Sequence, residues 1–117
     1  MDHITELLLV TPHPTTGKLR AVSTVKNYVY NLNKIAKLVT GENISMGNLS
    51  YLYNHEQILQ LITDTFKIGS QKNYLTAITT LLHVLISNNP ENTTAVDALK
   101  EYNNTISDIK DIINKQT

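Results

Sequence analysis

The sequence predicts an all-α protein: a bundle of four to five helices with an extended N-terminal arm. Three observations carry this. Apolar residues recur at steps of three and four through four long segments. Each segment is entered through Ser, Thr or Asn, whose side chains cap helix starts, and the first three end at a Gly- or Pro-containing break. Strict apolar/polar alternation, the mark of a half-buried strand, is absent except for an ambiguous first ten residues.

In order along the chain, residues 1–10 suit either a short helix or a strand. "TPHPTTGKLRAV" (11–22) reads as the arm, because Pro12 and Pro14 lack backbone donors and bias their predecessors away from helix. Ser23 or Thr24 then caps a first long helix. Its apolar stripe is Val25, Tyr28, Val29, Leu32, Ile35, Ala36 and Val39, and Gly41 is placed to end it. "ENISMGN" is loop and "LSYLY" a short apolar turn. Asn54 caps a helix over 55–66, with Ile58, Leu59, Leu61, Ile62 and Phe66 inward, and "KIG" breaks it. Ser70 caps a helix over 71–87 whose apolar residues cover most of its circumference, which predicts the most buried helix. After "SNNPEN", Asn92 or Thr93 caps a last helix over 94–115. The division is therefore an arm, 1–22, and one helical domain, 23–117.

At 117 residues the chain is long enough for a hydrophobic core of its own. There is no Cys, which excludes disulfides and thiolate chemistry and fits a protein kept inside a cell or virion. The first ten residues carry acids where a secretory signal needs bases, and their apolar run is short. The expectation is no signal peptide, no membrane span and no secretion, with residence in the host nucleus, cytoplasm or virion. Basic and acidic residues balance at net zero, which weighs mildly against nucleic acid. The distribution is uneven, however. Residues 18–72 hold seven basic residues against three acidic ones, and the two ends are acidic.

No catalytic pattern is present. His3, His13, His55 and His83 lack metal-ligand spacing, the four glycines form no phosphate loop, and no serine sits in a nucleophile elbow. The expectation is a protein that is not an enzyme by itself and has no cofactor.

The most distinctive feature is a repeated triplet. Lys-Asn-Tyr occurs at 26–28 and again at 72–74, 46 positions later, each time after a Ser. In both copies the Ser is read as cap, the Lys and Asn as exposed first turn, and the Tyr as the first core residue, so Tyr28 and Tyr74 are both expected to be buried. The polar stripes of these two helices share another property. Lys26, Asn27, Tyr30, Asn31, Asn33, Lys34 and Lys37 on one, and Lys72, Thr76, Thr79, Thr80, His83 and Ser87 on the other, include no carboxylate. Two acid-free faces with lysines point to an anionic partner. The last helix offers a different surface. Leu99, Tyr102, Ile106, Ile109 and Ile113 step 3, 4, 3, 4, a heptad seam whose first half is expected to pack on the bundle and whose distal half is expected to reach a protein partner or a second copy.

The pattern resembles the N-terminal core-binding (SAM-like) domain of the tyrosine recombinase, or phage integrase, family. "STVKNYVYNLNKIAKLVTG" looks like that domain's first long helix, "NHEQILQLITDTFKIGSQKNYLTAITTLLHVL" like the next two, and "NTTAVDALKEYNNTISDIKDII" like its closing helix. The Asn-, Lys- and Ile-rich texture is what versions from large DNA viruses and their mobile elements would show. The resemblance implies a SAM-like orthogonal bundle forming half of a clamp on duplex DNA, with the first and third long helices against groove and backbone. Carried over by position, Lys72 and Thr76 fall at groove contacts, and Lys26 and Asn27 at the start of the other DNA-facing helix. Asn73 departs from the family's frequent Thr, and Lys26 replaces the Thr of the first cap. A single Arg cannot supply the family's catalytic Arg pair, so the chain is expected to be either the N-terminal part of a recombinase or a stand-alone relative.

The sequence thus nominates Arg20, Lys26, Asn27, Lys34, Lys72, Thr76 and His83 as a weak duplex-DNA surface of low sequence specificity. It nominates Tyr102, Ile106, Ile109 and Ile113 as a protein interface. The alternative reading is a structural or adaptor protein that uses the bundle for protein contacts.

Overall fold

In the computed structural model, which describes residues 3–13 and 16–115, five helices follow one another: α1 (His3–Val10), α2 (Val22–Thr40), α3 (His55–Thr65), α4 (Ile68–Asn88) and α5 (Thr93–Lys115). A single 3-10 turn over Ser50–Tyr53 precedes α3. The fold is an all-α bundle, as the apolar periodicity predicts. Pro14, read as part of the arm, lies outside the described residues.

The ambiguous N-terminal segment is helix, and its Ile4 and Leu8 are fully buried. Residues 3–10 therefore belong to the bundle, and the described non-helical residues before α2 are 11–13 and 16–21. That stretch doubles back. His13 N–H donates to the Lys18 carbonyl (2.8 Å) and Gly17 N–H to the His13 carbonyl (2.9 Å), a turn that Gly17 enters at φ +71°, where a side chain would be strained. Arg20 then reaches the end of α1, donating to the Thr11 carbonyl at 2.7 Å and the Leu8 carbonyl at 3.5 Å. These bonds satisfy helix-end carbonyls that would otherwise lack partners.

Two helix starts differ from the sequence reading. α2 begins at Val22 from an extended Ala21, and α4 at Ile68 from an extended Lys67, with no side-chain cap in either case. Ser23 and Ser70 lie inside the first turns. The physical reason is tertiary. Arg20, tied to α1, delivers the chain directly into α2, and the Gln71 side chain donates to the Phe66 carbonyl at 2.8 Å and locks the sharp α3–α4 junction. The break there is Phe66–Lys67, and Gly69 is helical. Asn54 stands at the start of α3 as expected, but its side chain makes no cap bond and donates instead to Gln57 Oε1 at 3.0 Å. Two other signals hold. Gly41 is left-handed (φ +82°), its N–H bonded to the Lys37 carbonyl, and Asn92 Oδ1 accepts the Ala95 N–H at 3.1 Å.

α4 is the central helix. Tyr74, Leu75, Ala77, Ile78, Leu81, Leu82, Val84 and Leu85 are all buried, and α2 and α5 pack on it while making no comparable interface with each other. The two tyrosines of the repeated triplets diverge. Tyr74 is buried and stacks on Phe66, with ring centroids 4.0 Å apart. Tyr28 is only half-buried, because it lies at the edge of the α2–α4 contact, where one side of its ring meets a cleft.

The heptad seam of α5 is the inner face of that helix. Tyr102 is fully buried and Ile109 nearly so, while Ile106 and Ile113 are half-buried against the same core. The expectation of a partner interface is corrected at Tyr102 and Ile109, which the protein's own bundle covers, whereas Ile106 and Ile113 keep part of their surface exposed.

Candidate nucleic-acid interface

α2 and α4 run antiparallel. Arg20, just before α2, neighbours His83 near the end of α4; Asn27 and Asn31 share a cleft with Asn73 and Thr76; Lys34, Lys37 and Leu38 share a depression with Thr65 and Phe66 just before α4. This packing answers the question posed by the repeated triplet. The two Lys-Asn-Tyr copies stand on neighbouring helices, and their asparagines, Asn27 and Asn73, open onto one cleft of about 310 Å3. Tyr28, Tyr30, Asn31 and Thr76 complete its walls.

Along α2 the cleft continues into two more depressions, one lined by Tyr30, Asn33, Lys34, Lys37 and Asn43, the other a nearly apolar one lined by Lys34, Lys37, Leu38, Thr65 and Phe66. None of the three is lined by a carboxylate. Lys26, Lys34 and Lys37 are exposed, and Lys72 is half-exposed. Lys34 Nζ sits 5.2 Å from the centroid of the Tyr30 ring. Its pKa is raised, first by the Tyr30 side chain and then by Tyr74, so the amine carries its full charge at neutral pH. The Tyr30 ring is itself 60% exposed.

Not every nominated residue is equally free to act. Arg20 is half-buried, and its guanidinium is engaged with the carbonyls of α1. His83 is half-buried beside Arg20 and His13. Burial first, then these two neighbours, hold its imidazole below the usual histidine value, so it is neutral at pH 7 and offers no charge to a phosphate. The hydroxyls of Thr76, Thr79 and Thr80 donate back to helix carbonyls, Thr76 to Lys72 (2.8 Å) and the other two to Thr76 (3.0 and 2.8 Å). A hydroxyl bonded this way keeps only acceptor capacity, which suits a phosphate poorly. Asn33, part of the same polar stripe in sequence, instead holds the following loop by accepting the Ile44 N–H at 2.9 Å.

Three residues that the site nomination omitted are central to the geometry: Tyr30, Asn31 and Lys37. Their spacing with Asn27 and Lys34 puts all five on one face of α2, so the signal was present in the helical period. Asn73 was omitted too, although the triplet repeat itself pointed to it.

Comparison with protein-family models, curated proteins and solved structures found no match to this chain. Among the described residues, no group of three or more His, Asp or Glu side chains is placed to hold a metal ion, and no helix is long and apolar enough to cross a membrane.

Proposed function

We propose that the protein is a nucleic-acid-binding module, non-catalytic on its own, that engages DNA through the α2–α4 face, in the manner implied by its resemblance to recombinase core-binding domains. The observation that carries this is a row of three depressions that no carboxylate lines, two of them walled by Lys34 and Lys37, with Lys26 and Lys72 next in sequence to the cleft residues Asn27 and Asn73. A surface of this kind attracts phosphates over a Debye length and releases counterions on contact. About four phosphate contacts give a log–log salt slope near −4 and micromolar or weaker affinity at physiological salt. The test is an anisotropy titration of a short labelled duplex at rising salt. Binding that weakens with that slope supports the reading, and absence of binding at low salt, for the duplex and for a single strand alike, ends it.

A second reading, protein–protein contact, is favoured by the outer stripe of α5. Asp97, Glu101, Asp108 and Asp111 are exposed there at helical spacing, on a helix that flanks α4 independently of α2. Opposite charge on separate faces suits head-to-tail association of adaptor subunits without using the α5 seam. Salt-sensitive self-association in sedimentation velocity, with no DNA binding, would favour it.

A further inference from the structure

We propose that the α2–α4 cleft is a nucleobase site, so that this face prefers single-stranded nucleic acid to duplex. The inference rests on the nucleic-acid reading above and specifies its ligand.

The first argument is the amide inventory. Asn33, Asn48 and Asn92 are all tied into the fold, holding respectively the Ile44 N–H, the Ser45 N–H and the Ala95 N–H. Asn27, Asn31 and Asn73 make no side-chain hydrogen bond among the described residues, yet all three converge on the one cleft. Each amide presents an acceptor oxygen and two donor hydrogens, the pattern that pairs with the edge of a base.

The second argument is shape. These amides lie in a concavity between two antiparallel helices, not on a protruding helix end. A duplex is convex and keeps its bases stacked inside, so its base edges cannot descend between α2 and α4. An unstacked base can, because it presents both its edge and its face. A cleft of about 310 Å3 is large enough to admit one base and part of its sugar.

The third argument is the exposed ring. Tyr30 forms part of the wall and is 60% exposed in the middle of a helix. A Tyr face beside lysines is the combination that single-strand binders use, with the ring stacking a base and the cations following the backbone. Lys34 and Lys37 follow Tyr30 by one and two turns and line the next depression, where the adjoining phosphates would run.

The experiment compares three labelled ligands on the full chain: a mixed-sequence DNA single strand, its duplex, and an abasic strand of the same length. Wild type is expected to bind the single strand several-fold more tightly than either of the others. Tyr30→Ala should weaken single-strand binding about tenfold or more, from the loss of one stacking contact. Tyr30→Phe should retain it, and Asn31→Ala should weaken it in the same direction. None of the three variants should alter abasic binding. Equal or tighter binding of duplex, or indifference of single-strand affinity to Tyr30→Ala, overturns the nucleobase site while leaving backbone binding standing. No binding of any of the three ligands overturns the nucleic-acid reading itself, and the nucleobase site with it.

Discussion

The hydroxyl of Tyr102 donates to the Leu52 carbonyl at 2.6 Å, joining α5 to the 3-10 turn across 50 residues of sequence. Burial, and secondarily the nearby Tyr51, push the phenol well above its ordinary pKa, so it stays a donor at any physiological pH. Tyr51 offers the opposite case. Its hydroxyl is also buried, but it has no hydrogen-bond partner among the described residues. Removing the two hydroxyls should therefore have opposite signs. Tyr102→Phe leaves the Leu52 carbonyl unpaired and should lower stability by about 1–2 kcal/mol. Tyr51→Phe removes an unsatisfied group and should be neutral or stabilising by up to ~1 kcal/mol. Urea unfolding of both variants reads the difference.

The α5 seam gives a second prediction. With Ile109 buried against the protein's own core, Ile109→Ala should destabilise by about 2–5 kcal/mol. The oligomeric state by sedimentation should not change at a temperature where the variant remains folded. Loss of a dimer with unchanged unfolding would restore the seam to an external role.

Tyr74 and Tyr28 should separate in the same way. Tyr74→Ala removes a buried ring stacked on Phe66 and should cost about 3–5 kcal/mol. Tyr28→Ala should cost clearly less, since part of its ring is already exposed to water. Equal costs would mean that Tyr28 is as buried as its sequence context suggests.

His83 ties stability to pH. Its folded pKa lies below the usual 6.5, so in the window beneath that value the unfolded chain binds a proton that the folded one refuses. Stability should be full above about pH 6.5 and fall as pH drops below it. His83→Gln should flatten this part of the pH profile of the urea midpoint. An unchanged profile would show that His83 titrates normally.

The existence of each long helix was legible in the sequence because apolar steps of three and four report which face is buried. Gly41 and Asn92 were legible because their conformation and capping are local. The starts of α2 and α4 were not, because Arg20 and Gln71 set them by reaching carbonyls on other elements. The α5 seam shows the limit most directly. Periodicity identifies a face that must be covered, but it is silent on whether the chain's own core or another molecule covers it. Asn31 and Asn33 make the same point for the site. They are two positions apart and chemically identical, yet one opens onto the cleft and the other holds a loop.

The most direct test of the central claim is charge reversal on the α2–α4 face compared with α5. Lys34→Glu and Lys72→Glu should each weaken DNA binding at low salt by several-fold and together reduce the salt slope by about 2. Lys110→Glu, at an exposed position of the last helix, α5, should leave both affinity and slope close to wild type. If the Lys110 reversal weakens binding as much as the Lys34 and Lys72 reversals, binding is not localised to the α2–α4 face and the account is wrong.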